Sequence, residues 1–106
     1  MDEMEFRSLS ETALEELKKH LYACEEEETA GFEVEEQGGV LNILFEEPVG
    51  KFVITPNAPI RQIWISALST SFKLDWDAIT NSFVLPRSGE SLQPLVDRLI
   101  KEQLES

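Results

Sequence analysis

From residue 32 to residue 85 the chain is cut into short runs in which apolar and polar side chains alternate, each closed by residues that turn a backbone. A period of two marks a strand with one dry face, so this middle half predicts a sheet. In residues 32–36, Phe32 and Val34 point one way and Glu33 and Glu35 the other. Gln37-Gly38-Gly39 turns the chain into a second run, 40–45, and Glu46-Glu47-Pro48-Val49-Gly50 turns it into a third, 51–55. Residues 56–59, with a proline at each end, interrupt the pattern before a fourth run at 61–66. Two more, 72–76 and 83–85, are parted by the polar stretch 77–81. Consecutive strands joined by tight turns predict an antiparallel sheet.

The flanks read as helices. Phe6, Leu9, Ala13, Leu17, Leu21 and Cys24 recur at three- and four-residue spacings, which lines them along one helical face. Asp2, with Glu5 three residues on, suits an N-cap; the glutamate run predicts a stop near Ala23. Glu16 and His20, and Glu15 and Lys19, stand at i,i+4. Near the C-terminus Ser91 suits an N-cap, Pro94 falls in the first turn where its missing N–H is harmless, and Leu92, Leu95, Val96, Leu99 and Ile100 form the stripe. Helix, six strands, helix predicts an α+β fold: a two-layer sandwich in a single domain of 106 residues, both helices on one face of the sheet.

Charge is concentrated at the front. Residues 1–36 carry 13 acids against Arg7, Lys18 and Lys19, a net of −10 out of −12 for the whole chain. Such a field attracts cations and basic partners and disfavours nucleic acid and anionic membrane. No apolar run approaches the ~20 residues of a transmembrane helix, and an acidic start is unlike a mitochondrial presequence. The expected compartment is the bacterial cytoplasm; a trimmed form from the mitochondrial matrix would read the same. Phosphate-binding glycine loops, zinc-protease and serine-hydrolase motifs and calcium loops are absent, and the one cysteine, Cys24, excludes a disulfide within the chain. Cys24 and His20 stand at i,i+4, but the surrounding glutamates should raise the thiol pKa, against the needs of a nucleophile.

Two features remain as candidates. Carboxylate oxygens suit hard or borderline dications, ferrous iron included, and one imidazole adds some preference for transition metals. Spread along an exposed ridge, they would hold an ion loosely with most of its water; the plainer reading is a solvated face that aids solubility. In Arg61-Gln62-Ile63-Trp64-Ile65-Ser66, alternation sends Ile63 and Ile65 toward the helices and leaves Trp64 on the bare face, flanked by Gln62 and by Lys73 of the next strand. An exposed tryptophan among polar neighbours is a common binding anchor; the alternative is simple packing on neighbours such as Val53. Trp76 shares the phase of Phe72 and Leu74 and is assigned to the core.

Gly38-Gly39-Val40-Leu41, Gly50-Lys51-Phe52-Val53-Ile54, Pro59-Ile60-Arg61-Gln62-Ile63-Trp64-Ile65-Ser66, Asp75-Trp76 and Ser88-Gly89-Glu90-Ser91-Leu92 occur in this order across nearly the whole chain. Together with the acidic first helix and strand, they resemble the frataxin family. The resemblance implies an iron-binding regulatory adaptor of iron–sulfur cluster assembly that docks on a cysteine desulfurase and on the iron–sulfur scaffold protein. Ferrous iron, or ferric iron or another dication, would bind weakly along Glu11, Glu15, Glu16, His20, Glu25, Glu26, Glu27, Glu28, Glu33 and Glu35. Gln62, Trp64 and Lys73 would face the scaffold. A monomer is expected, or an oligomer formed with iron. Two other readings are a ferroxidase that stores iron and an acidic interaction module that works without metal. The chain departs from its relatives at Thr55, where many carry asparagine, and in bunching its acids at residues 25–28.

Overall fold

The structure, a computed structural model, describes residues 1–27 and 30–106. Helix α1 spans Glu3–Glu25, and Asp2 caps it as the sequence predicts, its carboxylate accepting from the Glu5 N–H at 2.8 Å. The helix passes the expected stop at Ala23. Glutamate is a good helix former, so a run of it does not end a helix by itself. Glu25, in the last turn, also gains a partner: its carboxylate accepts from the Val34 N–H at 3.2 Å.

The side of α1 turned to the sheet is Phe6, Ser10, Leu14, Leu17 and Leu21. The expected stripe is therefore rotated. Leu9 and Ala13 are only partly buried, and with Leu92 they line the hollow between α1 and the second helix. The helix has two neighbours, sheet and helix, and the apolar pattern read from the sequence followed the edge shared with the second. Ser10 is tolerated on the dry side because its hydroxyl donates to the Arg7 carbonyl at 3.2 Å.

Six strands follow: β1 (Phe32–Gln37), β2 (Val40–Glu46), β3 (Val49–Asn57), β4 (Gln62–Ala67), β5 (Thr70–Asp77) and β6 (Ser82–Val84). They form one antiparallel sheet in chain order, β1-β2-β3-β4-β5-β6. Strand β3 runs through Pro56 instead of ending at Thr55. Ile54 is the last β3 residue registered with β2, so Pro56 pairs only with Ile63 of β4, and its missing N–H breaks no β2 bond. A single 3-10 turn, Ala58–Ile60, then leads into β4.

Helix α2 spans Leu92–Glu105 and buries the expected Leu92, Leu95, Val96, Leu99 and Ile100, with Gln103 added. Ser91 occupies the N-cap position, but its side chain makes no capping bond; its backbone instead bridges to Val84 of β6. Both helices join one cluster with Val34, Leu41, Ile43, Phe45, Phe52, Ile54, Ile63, Ile65, Leu74 and Phe83, all from the same face of the sheet. This is the predicted α+β sandwich, and truncating one of these buried aliphatics to alanine should cost about 2–5 kcal/mol. At the far end Gln103 Nε2 donates to the Pro48 carbonyl at 2.9 Å, and a Cβ added at Gly50 would lie 2.6 Å from that nitrogen.

Candidate functional site

Helix α1 packs against edge strand β1, and acidic residues of both elements gather along this edge on the two faces of the sheet. Glu11 and Glu15 border the hollow that α1 shares with Glu36 of β1. Lys18 reaches into this group, 2.9 Å from Glu15 and 3.4 Å from Glu36. That hydrogen bond lowers the Glu15 pKa below the usual carboxylate value and raises that of Lys18. Glu15 thus pairs with Lys18 and not with the expected Lys19. Glu33 and Glu35 alternate with Val34 and stand exposed on the open face of β1. Glu25 is tied to Val34, while Glu26 and Glu27 are exposed where α1 ends. Glu28 lies outside the described residues.

Of the other expected ligands, Glu16 borders the same hollow as Glu11 and Glu15 and His20 sits elsewhere. Glu16 rides the crest of α1 between two hollows. His20 is turned to α2, where Nε2 lies 2.9 Å from an Asp97 carboxylate oxygen, so the Glu16–His20 pairing gives way to one across the helices. Among the described residues, no three His, Cys, Asp or Glu side chains form a ready-made metal-binding group. Carboxylate oxygens suit ferrous iron, but spaced like this they would replace only a few of its waters.

Cys24 is half-buried, with Sγ 3.9 Å from His20 Nε2. Its thiol pKa is raised as expected, but burial is the main cause, followed by the charges of Asp97 and Glu27. The expectation credited glutamates alone.

The second candidate is on the open face. Trp64 sits between Thr55 of β3 and Lys73 of β5 in the sheet register. Its Nε1 donates to Gln62 Oε1 at 2.9 Å, and Gln62 Nε2 donates to Asp75 at 2.9 Å. The Lys73 ammonium stands 4.9 Å from the ring centroid, a cation–π distance. The indole is half-exposed and held in orientation by Gln62 and Lys73. Trp76 packs against Phe83 on the core side, at 5.1 Å between ring centroids. Sequence reading missed Asp75, Lys18, Glu36 and Asp97. Asp75 could have been found, since antiparallel pairing of β4 with β5 sets it opposite Gln62.

Comparison with known proteins now decides the family. The pattern of the frataxin-like domain matches residues 1–106. The chain belongs to the frataxin-like family. The iron-sulfur cluster assembly protein CyaY of Azotobacter vinelandii is 28% identical over 91 residues, covering 86% of this chain and 82% of that protein. CyaY of Pseudomonas aeruginosa, with the same descriptive name, is 28% identical over 103 residues, covering 97% and 91%. Among solved structures, a frataxin from Psychromonas ingrahamii, studied for stability modulation within the CyaY family, superposes with a TM-score of 0.82. It is 20% identical and covers 100% of this chain and 94% of that one, a likeness of fold. Among the described residues of this frataxin-like chain, no helix is long and apolar enough to cross a membrane.

Proposed function

We propose that this frataxin-like protein acts in iron–sulfur cluster assembly as a regulatory adaptor with two working surfaces. The acidic flank of α1 and β1 collects ferrous iron weakly and docks by charge on a basic surface of a cysteine desulfurase. The Trp64 patch, with Gln62 and Lys73, docks on the scaffold protein where clusters form. The bacterial cytoplasm is its proposed compartment, in keeping with its bacterial relatives.

The observation that carries this reading is the separation of the two surfaces. The acids gather at the β1 edge, and a half-exposed indole held at its Nε1 lies three strands away, on the open face it shares with Glu33 and Glu35. A charge field speeds encounter and tolerates loose geometry. An oriented tryptophan gives a compact anchor. Iron on the flank cancels part of the field needed for docking, so metal would tune the complex.

The test is a pull-down from native extract with and without ferrous iron, using wild type, Trp64→Ala, and a variant with Glu11, Glu15, Glu33 and Glu35 changed to Gln. The expected result is that the desulfurase is lost with the glutamates and the scaffold with Trp64. Retention of both partners by both variants overturns the reading. The metal-independent module also draws on an observation: Lys18 and the Val34 N–H already engage Glu15, Glu36 and Glu25. Partner capture that ignores iron and falls with salt would select it.

A further inference from the structure

On the open face of the sheet, β4 and β5 set two cross-strand pairs side by side: Gln62 opposite Asp75 and Trp64 opposite Lys73. The atoms that meet there have fixed roles. An indole N–H can only donate, an ionised carboxylate can only accept, and a primary amide has one end of each kind. Gln62 lies between the other two, with Oε1 2.9 Å from Trp64 Nε1 and Nε2 2.9 Å from an Asp75 carboxylate oxygen. Turned over, the amide would set its amino group against the indole N–H and its carbonyl against the carboxylate, two repulsions in place of two bonds. The chain of bonds therefore runs one way only, from indole to amide to carboxylate.

The carboxylate is free for this task. Asp75 is half-buried and, among the described residues, makes no ion pair. Lys73, two residues earlier on the same strand, holds its ammonium at the indole, 4.9 Å from the ring centroid. Arg61 is spent on the Ala58 and Pro59 carbonyls, each at 2.9 Å. Without Asp75, the indole N–H alone would have to hold a glutamine side chain that has several freely turning bonds. Two anchored ends fix the amide where one would leave it to swing.

We propose that Asp75 is a positioning residue for the Trp64 anchor: by holding the Gln62 amide one way round, it keeps the indole oriented and its N–H engaged before any partner arrives. The proposal rests on the scaffold-docking reading of the Trp64 patch and names how that patch is tuned. A side chain ordered in advance loses less freedom on association, so Asp75 contributes to affinity without touching the partner. The partner also meets a ring whose one polar atom is already taken. The group it presents to Trp64 is therefore apolar or flat, not an acceptor aimed at Nε1.

The test follows the Trp64 indole N–H by NMR in the isotope-labelled full-length chain and, beside it, scaffold affinity by calorimetry. In Asp75→Ala the N–H should exchange with water about threefold faster, and affinity should fall about threefold, with the unfolding temperature little changed. Asp75→Asn keeps an acceptor, so both readings should stay near wild type. Gln62→Glu sets two carboxylates in contact and should worsen both. Adding Asp75→Asn to Gln62→Glu offers an amino group to one carboxylate oxygen and leaves the other for the indole, so both readings should recover. A merely structural strand pair would not give that rescue. Three results overturn the proposal: an indole N–H indifferent to Asp75→Ala, a double variant no better than Gln62→Glu alone, or scaffold affinity unmoved in Asp75→Ala while Trp64→Ala loses it. If Trp64→Ala keeps the scaffold bound, the docking reading fails, and the N–H pattern across the variants still decides whether Asp75 positions the indole.

Discussion

The acidic flank and the Trp64 patch hold their functional groups in opposite ways. On the flank, Glu26, Glu27, Glu33 and Glu35 are exposed on neighbouring elements, and what they share is sign. On the sheet, Trp64, Gln62 and Asp75 form a chain of hydrogen bonds with Lys73 beside the indole. In the proposed function, one surface would therefore act through a summed field, where each residue contributes a share. The other would act through shape, where a single atom can matter. The difference predicts graded losses on the flank and abrupt ones on the sheet.

The largest effect should come from Trp64→Ala. Scaffold affinity, measured by calorimetry, should fall by about 2 kcal/mol or more. The unfolding temperature should barely move, because the indole lies outside the core cluster. A large loss of stability would make Trp64 a structural residue and remove the contrast.

Next in size is the flank taken as a whole. Changing Glu11, Glu15, Glu33 and Glu35 to Gln should slow desulfurase association about tenfold at low salt, with the difference vanishing at high salt. Any one of these changes alone should have a much smaller effect. A single substitution that matched the quadruple one would show a specific contact and not a field.

Smaller again, Gln62→Ala removes the acceptor of the indole N–H and the donor to Asp75. Scaffold affinity should fall by about 1 kcal/mol. In a Trp76→Phe background, the fluorescence anisotropy of Trp64 should drop as its ring is released.

The smallest effects concern pH. The folded pKa of Glu15 lies below its ordinary 4.5, so its pairing with Lys18 stabilises the fold above that value and is lost as pH falls through the folded pKa. The gap in unfolding temperature between wild type and Glu15→Gln should close between pH 6 and pH 3 (roughly the carboxylate range). The Cys24 thiol is raised above its ordinary 9.0, so alkylation at neutral pH should be slower than for a free thiol. Fast alkylation there would show that the burial and carboxylates around it do not hold the thiol protonated.

The fold was legible in the sequence because its strands alternate and its turns carry glycine and proline at the right places. Ile63 and Ile65 against Trp64 is enough to tell the dry face of β4 from the wet one. Strand ends were harder. Pro56 looks like a stop until the neighbouring strand is known to have ended first. The acidic flank was legible as charge but not as geometry. The rotation of α1 follows from having two packing partners, and that rotation sends His20 toward Asp97, 77 positions away in sequence. Local spacing offered His20 only Glu16 and Cys24. Lys18 was equally hidden, since its link to Glu36 depends on how the helix settles against the edge strand.

Gly50 carries a consequence of its own. Its bare α-carbon leaves just enough room for the Gln103 amide to slide beneath the β2–β3 hairpin and grip the Pro48 carbonyl. The closing turn of the last helix is thereby latched to a hairpin in the middle of the chain, 55 positions earlier. Those two segments should open and close together in amide exchange, as one cooperative unit. A methyl group at position 50 would wedge the latch and let each breathe separately.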